Sequence, residues 1–135
     1  MPSTRLAAAV ATTTLLTAGL TACGGPPRDA SVPDFCSAVT DRSWVDGLDP
    51  DSSGDEIVDA LGKWADELEE TGTPDGIPDD AREGFEITID TLHDLDPDDF
   101  DSPDDLRGVT GDLSEDDQAK VDALTDYRSE KCGSG

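Results

Sequence analysis

The fold is decided by residues 53–71, which read SGDEIVDALGKWADELEET. Their apolar side chains recur at helical spacing and form one stripe, whereas most of the acidic side chains lie off that stripe. Ser53 and Glu56 have the spacing of a capping box, and Gly72 stands where a C-terminal glycine is expected. The stretch therefore predicts an amphipathic helix, whose inward stripe consists of Ile57, Leu61, Trp64, Ala65 and Leu68.

Three further segments have the same periodicity. We predict helices over residues 33–44, 78–95 and 114–132, of which the first is short. No stretch alternates strictly between apolar and polar residues, as a half-buried strand would. The sequence therefore predicts an all-α domain, namely a small four-helix up-and-down bundle with one short helix.

The first 22 residues have a different composition from the rest of the chain. Arg5 is their one charged residue, and no acidic residue occurs before Asp29. The uncharged run from residue 6 to residue 20 is too short to span a bilayer comfortably, but it suits the apolar region of a signal peptide. We therefore predict a signal peptide over residues 1–22; a buried N-terminal helix is the alternative.

Residues 20–23 read Leu-Thr-Ala-Cys and are followed by two glycines. This motif resembles the lipobox of bacterial lipoproteins, and the composition is similar to that of secreted lipoproteins of high-GC Gram-positive bacteria. The resemblance implies that Cys23 carries a diacylglyceryl group, becomes the first residue after cleavage, and anchors the protein to the extracytoplasmic face of the cell membrane. Residues 23–32 would then be a flexible tether and residues 33–135 the domain. The alternative for Cys23 is a free thiol or a disulfide partner.

Lipidation of Cys23 would leave two cysteines, Cys36 and Cys132. Exported proteins meet an oxidising environment, so we expect these two residues to form a disulfide. An up-and-down bundle agrees with that pairing, because the start of its first helix and the end of its last lie at the same end. Two free thiols or an intermolecular bridge are the alternatives.

The charge of the chain excludes several classes of function. The 135 residues contain 9 Lys+Arg and 33 Asp+Glu, for a formal net charge of −24. A nucleic-acid interface needs a basic patch, and a polybasic membrane surface needs a cluster of cations; nine scattered cations supply neither. We expect contact with the membrane through the lipid alone, and self-repulsion within the domain.

Acidic residues are dense between residues 94 and 105. Hard divalent cations prefer such oxygen ligands, so Asp96, Asp98, Asp99 and Asp101 are weak candidates for Ca²⁺ or Mg²⁺ binding. A solvated acidic loop is the alternative. Residues 49–54 match the first half of an EF-hand loop, but the match then fails, since Ala60 stands where a bidentate glutamate is needed.

No motif of nucleophilic, phosphate-transfer or zinc-hydrolase chemistry occurs in the sequence. We place His93, the single histidine, at a helix C-terminus. Trp44 and Trp64 supply either core volume or a binding face. We predict a monomeric, non-enzymatic envelope lipoprotein without a cofactor, which binds an unknown envelope protein or small ligand. A cation-binding acidic lipoprotein is the alternative, and a small hydrolase comes third.

Overall fold

The computed structural model describes residues 25–133. No strand occurs in this range, so the prediction of a small all-α bundle is confirmed. For the three long helices, each predicted first residue is the N-cap: Ser53, Pro78 and Ser114. The α-helices are α1 (Val32–Thr40), α2 (Ser43–Asp46), α3 (Gly54–Thr71), α4 (Asp79–His93) and α5 (Glu115–Cys132), with 3-10 helices at Pro97–Asp99 and Pro103–Gly108 between α4 and α5.

Helix α3 begins as its sequence predicts. The Ser53 hydroxyl accepts a hydrogen bond from the Glu56 backbone N–H, and the Glu56 carboxylate accepts one from the Ser53 backbone N–H. These two bonds satisfy donors that a helix N-terminus otherwise leaves open. Four of the five stripe residues are buried, and the fifth, Trp64, is half-buried.

The predicted first helix is divided in two. Helix α1 ends at Thr40, and Asp41 has an extended backbone. The Asp41 carboxylate accepts hydrogen bonds from both the backbone N–H and the hydroxyl of Ser43, at 3.1 and 2.6 Å. This local turn competes with continuation of the helix, so the chain restarts as the four-residue α2.

The centre of the core is aromatic. Phe35 of α1 is fully buried and lies 6.0 Å from Phe85 of α4 and 5.8 Å from Tyr127 of α5, measured between ring centroids. Tilted and edge-on arrangements of this kind are the ones that aromatic pairs favour. The Phe35 ring of the short α1 therefore packs against both α4 and α5.

The disulfide between Cys36 and Cys132 is confirmed. It joins α1 to the last residue of α5, with 5.3 Å between the two Cα atoms and a sequence separation of 96. The bridge encloses nearly all of the helical domain, so the first and last helices are held at one place.

Helices α4 and α5 approach each other closely at Gly84. A Cβ atom at this position would lie well inside van der Waals contact with the Lys120 carbonyl and the Val121 N–H. Beside this contact, the Lys120 ammonium pairs with Glu83 at 2.6 Å and with Asp116 at 3.2 Å. The hydrogen bonds to Glu83 and then to Asp116 raise the pKa of Lys120 above its usual value. Glycine at position 84 is thus required by packing rather than by backbone conformation.

The acidic connection between α4 and α5 packs on the body of the domain. Its two 3-10 helices turn Phe100 into the core, and Leu106 and Val109 pack against the buried cluster. The aspartates of residues 94–105 are exposed, which agrees with the alternative of a solvated acidic loop, whereas the apolar side chains of the connection pack inwards.

The segment predicted as a flexible tether lies against the domain. We call residues 25–31 the N-terminal strap. Its Pro27 carbonyl accepts the Thr73 N–H at 2.9 Å, and Thr73 in turn accepts the Ala30 N–H at 3.2 Å. Gly72 has a φ of 73° and packs directly on Pro27, which a side chain there would prevent. The predicted tether is thus held from residue 26 onwards.

A buried arginine also binds the N-terminal strap. Arg82 of α4 donates to the Pro26 carbonyl at 2.9 Å and to the Thr73 hydroxyl. It also pairs with Glu86 at 3.0 Å. A guanidinium has five donors in a planar fork, so one side chain can serve several acceptors at once. The composition of residues 23–32 predicts a flexible segment, whereas Thr73 and Arg82 form hydrogen bonds with the backbone of the strap.

Candidate functional site

The predicted lipidation site, Cys23, lies outside the described residues, as does the predicted signal peptide. Within residues 25–133, no helix has both the length and the apolar character needed to cross a membrane. The anchor therefore stays a prediction from the sequence.

The four aspartates proposed as cation ligands do not converge. Within residues 25–133, a single group of three potential ligand side chains has all its ligand atoms within 4.8 Å, and Asp96, Asp98, Asp99 and Asp101 are not part of it. The Asp96 carboxylate instead accepts the Asp98 backbone N–H at 3.0 Å. Asp98 and Asp99 are successive residues of a 3-10 helix, so their side chains point about 120° apart, and Asp101 lies beyond the end of that helix.

The group that does converge consists of Asp66, Glu69 and His93. His93 is the last residue of α4, as predicted, and its Nε2 lies 3.6 Å from a carboxylate oxygen of Asp66 and 3.8 Å from one of Glu69. All three side chains are exposed. A protonated imidazole would make ion pairs here, whereas a neutral one could join the carboxylates as a metal ligand. Asp66 and Glu69 lie on α3 and His93 on α4, so no spacing motif in the sequence predicts that the three meet.

The EF-hand resemblance of residues 49–54 has a local structural explanation. The Ser52 hydroxyl accepts the Asp49 backbone N–H at 2.8 Å, and the Ser52 N–H donates to the Asp49 carbonyl. The segment is thus a hydrogen-bonded turn that leads into the N-cap of α3. The Ser52 hydroxyl thus binds the backbone of its own turn.

A partly open, mainly apolar cavity of about 270 Å³ is bounded by α3, α4, α5 and the connection before α5. Its floor belongs to the core, since Leu61, Leu68 and Phe85 line it and are almost completely buried. Val121 and Leu124 of α5 also line the cavity and are only half-buried. The cavity therefore explains why α5 contributes only Tyr127 to the fully buried core.

Two tryptophans form a wall of this cavity. Trp44 and Trp64 stack with their ring centroids 5.7 Å apart and an interplanar angle of 23°. Both are half-buried. Both tryptophans pack against the buried cluster, in agreement with the core role, and both also line the cavity.

Most polar atoms of the wall are already hydrogen-bonded within the protein. Thr88, Thr91 and Thr125 each donate to a carbonyl one turn earlier in their own helix, at 2.7–3.1 Å. The Trp64 indole N–H donates to the Ala38 carbonyl at 3.0 Å. The Trp44 indole N–H, by contrast, has no acceptor among residues 25–133. Its nitrogen has almost no accessible surface, so a ligand in the cavity does not reach it in this conformation.

A more polar depression of about 490 Å³ adjoins the cavity. The two share Val39, Trp44, Trp64 and Arg128, and the depression adds Arg42 and Asp41 among others. The hydroxyl of Ser43, and then its backbone N–H, lower the pKa of Asp41. The apolar cavity therefore opens beside a surface that carries two arginines.

Arg128 stands at the boundary between the two. It is half-buried, lines both spaces and makes no ion pair with any residue from 25 to 133. Arg28, Arg42 and Arg107 also lack an ion pair in this range, but all three are exposed and none lines the cavity. The site thus combines an apolar floor, an aromatic wall and the half-buried guanidinium of Arg128.

The chain matches no protein-family model. No curated protein and no solved structure resembles it significantly.

Proposed function

We propose that the protein is a lipid-anchored, extracytoplasmic binding module, and that the cavity between α3, α4 and α5 is its ligand site. The lipobox at residues 20–23 and the signal peptide before it support export and anchoring. The observation that carries the proposal is the cavity itself. Its floor is core and its wall includes a stacked tryptophan pair.

The N-terminal strap bears on how such a protein would sit at a membrane. Because the strap is hydrogen-bonded to Thr73 and Arg82, little free chain separates the proposed lipid on Cys23 from the domain. The three residue steps from Cys23 to Pro26, the first held residue, span at most about 11 Å. An anchored domain would therefore lie close to the lipid surface and could not reach far into the envelope.

The chemistry of the cavity wall favours binding over catalysis. None of the residues that line it is an aspartate, glutamate, histidine or cysteine. Its threonine hydroxyls at positions 88, 91 and 125 donate to helix carbonyls. General acid–base and nucleophilic catalysis need a titratable or activated group within hydrogen-bonding distance of the substrate. An apolar pocket with few polar groups is instead typical of small-molecule sites.

The two tryptophans make the cavity directly measurable. They are the only tryptophans of the chain, and both line the wall, so 1-octanol should change the emission of the purified domain saturably. Val121→Phe should fill the cavity and remove that response. Val45→Phe makes the same change at an exposed position outside the cavity and should preserve it. Circular dichroism checks that both variants fold; no saturable response in the wild type would refute the proposal.

The anchor has its own test. Cys23→Ser should move the protein from the membrane fraction to the soluble extracytoplasmic fraction, or leave the precursor uncleaved. A variant with both Cys36→Ser and Cys132→Ser removes the other two cysteines and should stay in the membrane fraction. Normal processing and unchanged membrane retention of the Cys23 variant would refute lipid anchoring.

A second candidate function, divalent-cation binding, is favoured by the convergence of Asp66, Glu69 and His93. Two carboxylates and an imidazole suit Zn²⁺ or Mn²⁺ better than Ca²⁺. Calorimetric titration with zinc chloride should then show a single site that His93→Gln removes. Asp98→Asn, in the acidic connection, should leave the titration unchanged. Absence of heat at millimolar zinc would dismiss this candidate.

A further inference from the structure

The structure assigns a chemical class to the ligand of the cavity: we propose a small amphiphile with one carboxylate, whose apolar part fills the cavity and whose carboxylate pairs with Arg128. This inference rests on the proposed function, since it presumes that the cavity is a ligand site. Its own support comes from the charge, the aromatic wall and the size of the site.

The charge of Arg128 is the first support. Residues 25–133 contain eight Lys and Arg residues, of which Lys63, Arg82, Lys120 and Lys131 make ion pairs with acidic neighbours. The other four make none, and among them Arg128 alone is half-buried, whereas Arg28, Arg42 and Arg107 are exposed. A guanidinium beside an apolar cavity is suited to a carboxylate, which it can bind through two parallel hydrogen bonds.

The position of Arg128 beside the aromatic wall is the second support. Trp44, like Arg128, lines both the cavity and the polar depression. The apolar part of a ligand can therefore contact the tryptophan while its carboxylate reaches the guanidinium.

The size of the cavity limits the apolar part. A dry cavity of about 150 Å³ holds one benzene molecule. The present cavity is larger, about 270 Å³, and its apolar wall contacts α3, α4 and α5. A chain of about eight carbons or a small ring system fits that scale, whereas the two long chains of a phospholipid would not.

The overall charge sharpens the inference. With a formal net charge of −24, the protein as a whole repels anions and attracts cations. A general electrostatic preference would therefore favour a cationic amphiphile. Preference for a carboxylate can arise only from a local group, and Arg128 is the cation that the cavity wall supplies.

Three probes of equal chain length separate these effects: octanoate, 1-octanol and octylammonium. Binding to the folded domain is followed by the emission of Trp44 and Trp64. We expect octanoate to bind most tightly and octylammonium most weakly. Arg128→Met should weaken octanoate binding about tenfold to a hundredfold, the range for a hydrogen-bonded charged group, and should leave 1-octanol binding nearly unchanged.

Two further variants control the experiment. Arg28→Met removes an exposed arginine that makes no ion pair within the described chain, and octanoate affinity should not change. Arg128→Lys keeps the charge and should retain part of the affinity, which covers the case in which Arg128→Met fails to fold. If the affinity ratio of octanoate to 1-octanol is the same in wild type and Arg128→Met, the ligand class is wrong although the cavity binds. If none of the three probes binds the wild type, the proposed function itself fails.

Discussion

Cys36 and Cys132 are bonded to each other across 96 positions of the sequence, from the middle of α1 to the last residue of α5. Helix α1 is only nine residues long, and three of its side chains are buried. So short a helix has little stability of its own. The bridge therefore holds α1 where Phe35 can complete the aromatic core.

Loss of this bridge should destabilise the domain strongly. For a closed loop of this length, the chain-entropy description gives about 4–5 kcal/mol. The variant with Cys36→Ser and Cys132→Ser should melt roughly 10–20 °C below the oxidised wild type. Calorimetry with and without reductant measures this. Reductant should have no effect on the double variant, and equal melting of both proteins would contradict the expectation.

Two glycines within helices should respond in opposite ways to alanine. Gly84→Ala places a methyl group against the Lys120 carbonyl, so the helices must separate, at about 1–3 kcal/mol. Gly62→Ala meets no atom within 4 Å and gains helix propensity, about 0.5–1 kcal/mol. Urea denaturation of both variants compares them directly. Stabilisation by Gly84→Ala would show that α4 and α5 do not meet closely there.

Arg82→Met should release the N-terminal strap. It removes the donors to the Pro26 carbonyl and the Thr73 hydroxyl, which costs about 1–3 kcal/mol for buried acceptors left open. The pair with Glu86 adds little, because Glu86 is 37% exposed. Trypsin should then cut faster after Arg28, within the strap. Arg107→Met, at an exposed position, should leave that cleavage rate unchanged; equal rates in all three proteins would contradict a docked strap.

The hydrogen bonds of Asp41 predict a pH dependence. The Ser43 hydroxyl, and then the Ser43 N–H, lower the pKa of the Asp41 carboxyl in the folded protein. A lowered pKa contributes stability that is present above the unfolded value and is lost as the pH falls through the folded value. Asp41→Asn should therefore lower the melting temperature at pH 7 and have no effect once the wild-type carboxyl is protonated. Asp46→Asn, in α2, is the control; a difference between wild type and Asp41→Asn that persists in acid would argue against charge as its cause.

The excess of acidic residues should make stability depend on salt. With 33 Asp+Glu and 9 Lys+Arg, like charges dominate the surface of the folded protein, and salt screens their repulsion. The melting temperature should rise between about 10 mM and 500 mM sodium chloride. Asp122 and Asp126 are exposed one turn apart on α5, a destabilising arrangement. Asp122→Asn should raise the melting temperature at low salt and reduce the salt effect, whereas a flat salt response in the wild type would refute the repulsion.

Local interactions explain what could be predicted from the sequence. The N-caps at Ser53 and Ser114 and the apolar stripe of α3 depend on residues three or four positions apart, so they are legible in the chain itself. The bridge between Cys36 and Cys132 followed from cysteine counting and the inference of export. The break between α1 and α2 was missed because the Asp41 turn competes with helix on nearly equal local terms.

The candidate sites could be predicted only in part from the sequence. Of the residues singled out in advance, Trp44 and Trp64 lie together at the cavity, whereas the four aspartates of the acidic connection do not meet. Arg128, the threonines of the wall and the grouping of Asp66, Glu69 and His93 carried no sequence signal, because their partners come from different helices. A cavity forms where packed helices do not fill the space between them, so it cannot be predicted from any single segment of the sequence.

The amino-acid sequence alone is enough to predict the three long helices, their N-caps, the bridging cysteines and the charge, because each depends on spacing along the chain or on counting. Packing of the helices sets where the strap docks, which carboxylates lie beside His93, and that an arginine with no ion pair among residues 25–133 lines an apolar cavity. These features depend on how closely helices approach one another. Gly84 shows the reason: one missing methyl group sets the contact between α4 and α5, two of the helices that bound the cavity.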